Sequence, residues 1–154
     1  MTNLKKNNMY KSTKIFDNYS VALRQWKAQH SHCKLLHGYA LKFKIWFEAD
    51  TLDDMNWVVD FGGFGYNGLK DWMNDMFDHT TLIQEDDPYK SYFEMLQVEG
   101  LAKVHFLKKM GCESLCELVA DKFNDTLSKQ DAGRCRVIKV ECFENDKNSA
   151  IWEV

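Results

Sequence analysis

Apolar residues recur at every second position in the middle of residues 37–48, with the sequence HGYALKFKIWFE. The apolar positions share one parity: Leu41, Phe43, Ile45 and Phe47. Lys42 and Lys44 fall on the other parity, and a period of two predicts a half-buried strand. The same parity carries His37 and Tyr39 onto the apolar face. The strand is therefore expected to direct polar chemistry inward at its start.

Two amphipathic helices and further strands surround this segment. Apolar residues recur with helical spacing from Asn67 to the residue before Asp78, and again from Glu113 to Ser128. Residues 14–29 have strand-like composition and predict one long or bent strand, with residues 31–36 as a short connection. The segment AKVHFL predicts a short strand, and QEDDPYK predicts a loop.

The C-terminal part predicts two more strands, CRVIKVECFE and AIWEV. In the first, Ile138, Val140 and Cys142 share one face, and the same parity ends in Glu144. The predicted order is β, β, α, (β), α, β, β, with short connections. Neighbouring strand pairs favour an antiparallel sheet with two helices on one face, an α+β fold.

Length and composition predict one domain of a water-soluble protein. The 154 residues suffice for a single domain, which we place at 14–154, after a flexible N-terminal segment at 1–13. A net charge of −3 with scattered basic residues gives no footprint for nucleic acid. No run approaches the roughly 18 apolar residues of a membrane span, and none resembles a signal peptide. Five cysteines without disulfide-framework spacing suggest reduced thiols and a cytoplasmic location.

The segment HSHCKLLHGY concentrates chemically active side chains in residues 30–39. Two or three of its imidazoles, His30, His32 and His37, with an open fourth position would describe a catalytic zinc site. A polar strand end that happens to hold histidines is the simpler alternative. Cys33 is either a thiolate activated by a nearby cation or a space-filling side chain.

Carboxylates elsewhere leave similar alternatives open. Asp78 directly precedes His79 and could tune it as a general base, although both residue types commonly end helices. Glu144, at the end of an apolar strand face, either pairs with a ligand that presents two N–H donors or lies in water.

These weak signals occur in the order found in a known family. The chain resembles the 6-pyruvoyl-tetrahydropterin synthase and 6-carboxy-tetrahydropterin synthase family over about residues 14–152. The matching segments are WKAQH (26–30), CKLLHGY (33–39), VVDF (58–61), FDHTTL (77–82), CESLCEL (112–118) and FEN (143–145). No single motif is strong, but six in the right order are hard to obtain by chance.

The resemblance implies a fold and an assembly. The expected fold is the tunnelling fold, in the order ββααββ. Family members join the sheets of several subunits into a barrel, and trimers stack into hexamers. The resemblance therefore implies a homo-oligomer, a trimer or hexamer, with active sites at subunit interfaces.

The resemblance also implies roles for individual residues. Cys33 matches the catalytic cysteine, and Asp78 with His79 would complete its proton-handling group. Glu144 would anchor the pterin ring, and Glu113, at the second helix start, is a further expected substrate-binding residue.

A zinc cofactor is implied as well, but one ligand position departs from the family pattern. His30 and His37 match the first and second zinc ligands, whereas the third position holds Tyr39, because the usual H-G-H reads H-G-Y here. His32 lies two residues from His30, on the same side if the segment is extended. We therefore expect zinc on His30, His32 and His37, with Tyr39 as the alternative ligand.

A second departure lies at the second helix start, where Gly111 stands in place of the usual Thr. Gly111 cannot supply a hydroxyl to the substrate. Substrate contacts near that helix start are therefore expected to differ from those of the family.

The spacing between the cysteine and the histidine points to one branch of the family. The C-x(3)-H spacing of Cys33 and His37 is similar to that of the carboxy-forming bacterial type on the route to queuosine and other 7-deazaguanines. The expected substrate is 7,8-dihydroneopterin triphosphate, and the expected products are 6-carboxy-5,6,7,8-tetrahydropterin, acetaldehyde and triphosphate. The enzyme class would be a zinc-dependent lyase.

Three alternatives stay open at this point. The nearest is a 6-pyruvoyl-tetrahydropterin synthase. A second keeps the fold but loses turnover, leaving a pterin- or purine-binding protein, and the substitutions at Tyr39 and Gly111 motivate it. The third is an interaction module stapled by zinc, with Cys33 as the fourth ligand of a closed site.

Overall fold

The structure, a computed structural model, describes residues 8–154. One sheet of six strands runs through it in the order β4-β3-β1-β2-β5-β6. The strands are β1 (Tyr10–Leu23), β2 (His37–Ala49), β3 (Thr80–Gln84), β4 (Val104–Leu107), β5 (Cys135–Phe143) and β6 (Ser149–Glu153). The helices are α1 (Leu69–Phe77), α2 (Lys90–Val98) and α3 (Cys112–Leu127). The α+β architecture predicted from the sequence is confirmed.

The long antiparallel pair β1–β2 forms the centre of the sheet. Its register runs from Tyr10 opposite Ala49 to Leu23 opposite His37, with a bulge between Phe16 and Tyr19. β5 adds to the other side of β2, and β6 adds to β5, both antiparallel. The predicted hairpin pairs are thus present, and the strand start that holds His37 lies in the middle of the sheet.

The main hydrophobic core lies between one face of this sheet and two helices. α1 contributes Leu69, Met73 and Phe77, and α3 contributes a longer buried stripe that includes Phe123. The inward side chains of β2, from Leu41 to Ala49, are all fully buried. The alternation in β2 and the helical spacing in α1 and α3 therefore match the prediction. The apolar faces of the strand and of both helices pack in the same core.

Part of the sheet is parallel, in contrast to the predicted purely antiparallel sheet. β3 pairs parallel with the end of β1, and β4 pairs parallel with β3. Neither β3 nor α2 is predicted from the sequence. Leu82 joins the main core, whereas its neighbour Ile83 packs with Phe93 and Val104 in a second cluster. Because neighbouring residues of a strand point to opposite faces, α2 covers the face opposite α1 and α3.

A register shift in β5 changes which of its residues face the core. The pairing with β2 skips Ile138 between Val137 and Lys139. Val137, Val140 and Cys142 belong to the main core, and Ile138 does not. Ile138 is buried but does not share the face of Val140 and Cys142 as predicted, because the extra residue of a bulge inverts the parity on one side of it.

The first strand is displaced from its predicted bounds. β1 begins at Tyr10, so residues 10–13 belong to the sheet and not to a separate N-terminal segment. Residues 1–7 of that predicted segment lie outside the described residues. Beyond Leu23 the chain leaves the sheet and forms turns up to residue 36. No helix within residues 8–154 combines the length and apolar character that a membrane span requires.

Candidate active site

Cys33 lies on an irregular segment that links the two central strands, which we call the Cys33 loop (residues 24–36). A short 3₁₀ turn spans His32–Lys34, and the Ser31 hydroxyl accepts a hydrogen bond from the Cys33 amide at 3.1 Å. The Cys33 carbonyl accepts one from the Gln25 amide at 2.7 Å. Both backbone polar groups of Cys33 are therefore held, and its thiol is free and half-buried.

His37 and Tyr39 form a hydrogen-bonded pair at the start of β2. His37 Nδ1 lies 2.6 Å from the Leu35 carbonyl oxygen. Because a carbonyl only accepts, Nδ1 carries the proton and Nε2 is left as the acceptor. The Tyr39 hydroxyl donates to that Nε2 at 3.0 Å, and the two rings meet edge to face. The sequence prediction that polar chemistry points inward here agrees with this pair.

Tyr39 also lies close to two other predicted site residues. Burial raises the pKa of the Tyr39 phenol, and the negative charges of Glu144, Cys33 and Cys112 raise it further. The Cys112 thiol donates to Glu144 Oε1 at 3.8 Å. Tyr39, Glu144 and Cys112 therefore form one polar cluster that joins the start of β2, the end of β5 and the start of α3, and the charge of Cys33 acts on it.

Three buried thiols adjoin this cluster, and sequence reasoning missed them as a group. Cys112 and Cys116 lie on the inner face of α3, and Cys142 lies opposite them on β5. The neighbouring thiols Cys112 and Cys116 raise the pKa of Cys142, and hydrogen bonding with Cys142 lowers the pKa of Cys116. The i, i+4 spacing of Cys112 and Cys116, together with the inward parity of Cys142, was the available signal.

Asp78 and His79 lie at the junction of α1 and β3. Asp78 Oδ1 lies 2.8 Å from His79 Nδ1, and the His79 side chain is 83% exposed. Thr80 is in register with Val21, which is in register with Tyr39 on its other side. Two strand spacings, about 9–10 Å, therefore separate the backbones of Thr80 and Tyr39.

The predicted metal ligands are only partly brought together. His30 and His32 are exposed on the Cys33 loop. Within residues 8–154, no three His, Cys, Asp or Glu side chains converge so that they could hold a metal ion. His37 Nε2 and Tyr39 Oη do face each other at 3.0 Å. That separation is close to the roughly 3.3 Å between two ligands of a tetrahedral zinc, so the two donors suit two positions of such a site.

The start of α3 explains why Gly111 stands where the family has Thr. Gly111 has φ +128°, and a Cβ atom there would lie 3.0 Å from Gln25 Nε2 and 3.4 Å from Glu113 Oε2. Gln25 in turn donates to the Met110 carbonyl at 3.3 Å. A side chain at 111 would be strained and would displace Gln25 of the Cys33 loop. Glu113 is exposed in the first turn of α3 beside this contact.

Comparison with known proteins identifies the family of this chain. Residues 12–153 match the model of the family described as 6-pyruvoyl tetrahydropterin synthase, so the chain belongs to that family. Among curated relatives, the 6-carboxy-5,6,7,8-tetrahydropterin synthase of Rickettsia bellii is 30% identical over 76 residues, covering 49% of this chain and 53% of the relative. That of Rickettsia felis is 33% identical over 55 residues, covering 36% and 39%. The chain thus spans about half or less of the length of these relatives.

Solved structures support the fold over almost the whole chain. An uncharacterized protein from Wolinella succinogenes has a TM-score of 0.80 at 20% identity, covering 95% of this chain and 98% of that one. The 6-pyruvoyl tetrahydropterin synthase of Caenorhabditis elegans has a TM-score of 0.65 at 13% identity, covering 96% of both. At these identities the likeness concerns the fold alone, which is that of the tetrahydropterin synthases.

Proposed function

We propose that this protein is a 6-carboxy-5,6,7,8-tetrahydropterin synthase. The reaction would convert 7,8-dihydroneopterin triphosphate into 6-carboxytetrahydropterin, acetaldehyde and triphosphate, on the route to queuosine and other 7-deazaguanines in the cytoplasm. The observation that carries the proposal is the polar cluster at the start of β2, where Tyr39 donates to His37 and the charges of Cys33 and Glu144 act on the Tyr39 phenol. The C-x(3)-H spacing and the names of the rickettsial relatives support the carboxy-forming branch.

Glu144 is proposed to bind the pterin ring. An ionised carboxylate accepts two hydrogen bonds in parallel, and the pterin edge offers two N–H donors side by side. Glu144 follows the last residue of β5, where its backbone amide bonds to Asn148 and its side chain is half-buried. A half-buried carboxylate with only a weak thiol donor retains capacity for such a ligand.

Cys33 is proposed to transfer protons at the substrate side chain, with His79 and Asp78 as the group that accepts and returns them. The 83% exposure of His79 supports a site that is completed only in a homo-oligomer, a trimer or hexamer. A second chain packed against the junction of α1 and β3 would bury His79 and bring it close to the Cys33 thiol of that chain.

Zinc is proposed as the cofactor, with His30, His32 and His37 as ligands and Tyr39 as the alternative third ligand. His37 supports this assignment because its Nδ1–H bond to Leu35 fixes the ring with Nε2 directed into the site, as a carbonyl partner does for metal-binding histidines. Bound zinc would act as a Lewis acid toward the substrate's side-chain oxygens.

Mass-spectrometric product analysis tests the activity. Zinc-loaded protein is incubated with 7,8-dihydroneopterin triphosphate, alongside Cys33→Ala and the control Cys135→Ala, whose thiol is buried at the far end of β5. We expect 6-carboxytetrahydropterin and acetaldehyde from the wild type and the control, and neither from Cys33→Ala. A pyruvoyl product would instead assign the neighbouring synthase activity, and unchanged substrate would reject both.

Metal content tests the zinc proposal independently of turnover. His30→Ala, His32→Ala and His37→Ala are reconstituted with zinc and analysed by elemental mass spectrometry. His105→Ala is the control. His105 lies on β4, an edge strand of the sheet, and its ring bonds to the carbonyl of Asp75 in α1. We expect each ligand variant to lose zinc while the control keeps it. Equal zinc in all four variants would reject the ligand set.

One observation favours a second candidate, a pterin-binding protein without turnover. The Tyr39 hydroxyl occupies the Nε2 lone pair of His37, which would otherwise be available to a metal. If zinc does not displace this hydrogen bond, Glu144 remains to bind a pterin, while the chemistry is lost. Binding of 7,8-dihydroneopterin measured by calorimetry, without any product from the triphosphate, would identify this case.

A further inference from the structure

A largely buried charged pair joins the first residue of the Cys33 loop to the turn that precedes α2. Arg24 Nε donates to Asp87 Oδ2 at 2.7 Å, and a second guanidinium nitrogen donates to Asp87 Oδ1 at 3.2 Å. The Asp87 side chain is fully buried, and that of Arg24 is 15% exposed. Within residues 8–154, Asp87 is the one charged residue in the buried class. Burying charge is costly without a partner, so this pair needs both members.

Arg24 also binds the chain directly beyond Cys33. Its remaining terminal nitrogen donates to the Lys34 carbonyl at 3.1 Å. The next carbonyl, that of Leu35, accepts from His37. Two consecutive carbonyls after Cys33 are therefore held by side chains, one of which is the guanidinium.

Asp87 is itself fixed by the segment that precedes α2. Its Oδ1 accepts from the Tyr89 amide at 2.9 Å, and the Tyr89 ring lies 5.5 Å from the Arg24 guanidinium. The turn at residues 85–89 follows β3, whose parallel pairing with β1 brings it beneath the loop. The unpredicted elements β3 and α2 thus provide the support for the Cys33 loop.

Few other tertiary contacts hold the loop, among them the hydrogen bond from Gln25 to the Met110 carbonyl at 3.3 Å. Not one of residues 24–36 is in the buried class, so apolar packing contributes little to its conformation. The neighbouring contacts of Trp26 and Lys27 with Asp86 are exposed to solvent, where such pairs contribute little. The Arg24–Asp87 pair is the one ion pair of the loop, within residues 8–154, whose carboxylate is fully buried.

We propose that Asp87 is a positioning residue for Cys33, which acts by locking Arg24 onto the Lys34 carbonyl. The pair sets the position of the Cys33 thiol relative to Tyr39 and Glu144 without contacting the substrate. This inference rests on the proposed role of Cys33 in catalysis. A displacement of about 1 Å in a reacting group can lower a rate on the order of 100-fold, so loss of the pair should affect turnover strongly.

The first test measures the Cys33 thiol and needs no substrate. Alkylation by iodoacetamide is followed by peptide mass spectrometry across a pH series, since Cys33 is the one half-buried cysteine and the other four are buried. The variants are Asp87→Asn and Arg24→Lys. Arg24→Lys keeps a cation but loses the guanidinium group, which reaches the Lys34 carbonyl. The control is Asp86→Asn. We expect several-fold faster alkylation and a shifted pH profile in both variants, and wild-type behaviour in the control.

The second test measures steady-state kinetics on the same proteins. We expect kcat to fall on the order of 100-fold in Asp87→Asn and Arg24→Lys, with KM within roughly twofold of wild type, because Glu144 still binds the pterin. Asp87→Glu, which keeps the charge, should recover part of kcat. A KM increase with unchanged kcat would overturn the inference, as would wild-type alkylation in both variants.

The two tests separate this inference from the proposed function. If the wild type forms no product, the proposed function fails, while the alkylation series still decides whether the pair positions the thiol. If the wild type is active and alkylation is unchanged in both variants, the positioning role fails alone. Should Asp87→Asn not fold, Arg24→Lys decides, because its ammonium still neutralises the buried carboxylate.

Discussion

Strand β2 and the Cys33 loop are consecutive in the chain and meet at His37, yet different forces hold them. β2 buries Leu41, Phe43, Ile45, Phe47 and Ala49 completely. The loop buries no residue and is fixed by backbone hydrogen bonds and by the Arg24–Asp87 pair. Burial is non-directional and tolerates changes of partner, whereas a charged fork requires one geometry.

This difference separates stability from activity. Substitutions in β2 should act on the free energy of unfolding. Substitutions that alter the loop's polar attachments should act first on the position of Cys33, and through it on turnover. The proposed catalytic thiol is therefore attached to a rigid sheet by contacts that a single change of charge can remove.

The largest expected effect lies in the sheet. Phe43 is fully buried, and its ring lies 4.6 Å from that of Phe77 and 6.5 Å from that of Tyr19. Phe43→Ala should lower the free energy of unfolding by about 3–5 kcal/mol in urea titrations, because it leaves a cavity in the main core. Lys44→Ala, one residue along on the opposite face, should change it by about 0.5 kcal/mol or less. Equal losses in the two variants would show that β2 is not held by one-sided burial.

The loop is expected to show the next largest effect, for an electrostatic reason. Asp87→Asn leaves the Arg24 guanidinium largely buried without its counter-charge, and should cost about 3 kcal/mol. The double variant Arg24→Met with Asp87→Asn should lose less than the sum of the two single variants, because no unpaired charge remains. Asp86→Asn is the control, since Asp86 is exposed. Additive losses would show that the pair does not act as a unit.

Tyr19 tests whether the core tolerates ionisation. Burial, followed by the charges of Asp78 and Asp17, raises the pKa of Tyr19 from 10.0 to about 12. Between these two values the unfolded chain loses the phenol proton and the folded chain keeps it. The free energy of unfolding should therefore fall as pH rises from 10 to 12, by roughly 2–3 kcal/mol from this group.

Tyr19→Phe isolates that contribution. In urea titrations across this pH range, the free energy of unfolding of Tyr19→Phe should fall less steeply with pH than that of the wild type. For the control Tyr66→Phe, which removes the hydroxyl of a residue that is 95% exposed, it should fall as in the wild type. Burial also raises the pKa of Cys135 to about 11, so a decline from pH 9 onward should persist in both variants. A wild-type decline in Tyr19→Phe would contradict the assignment.

Much of the fold follows from periodicity, and the parts that do not have physical reasons. β2, α1 and α3 each bury one face in the main core, so the full apolar period of each element is visible in the sequence. β3 is buried at Thr80, Leu82 and Ile83 and so shows no alternation. α2 buries Phe93 alone and leaves Tyr92 and Met95 exposed, so it has no stripe to recognise.

The candidate site could be predicted in part. The sequence points to Tyr39 and Glu144, which lie together because β2 and β5 are neighbours in the sheet, and to Cys33, whose charge acts on Tyr39. Periodicity alone could not reveal Asp87, because its importance depends on a parallel pairing between segments about sixty residues apart. The roles of the predicted site residues and the metal remain predictions.

The smallest expected effect concerns a place where the central part of the sheet depends on a polar side chain. Asn124 on α3 accepts from the Val137 amide at 2.7 Å and donates to the Val137 carbonyl at 3.1 Å, beside the bulge at Ile138. Asn124→Ala leaves both backbone groups without this partner and should cost about 1–2 kcal/mol. Asp125→Ala, on the exposed side of α3, is the control. In amide hydrogen exchange, Val137 should lose protection more than Val140 does, because bulged pairing depends on Asn124 and regular pairing does not. Equal loss at both positions would mean that the side chain supports the whole strand, and that the sheet shares the loop's dependence on single polar contacts.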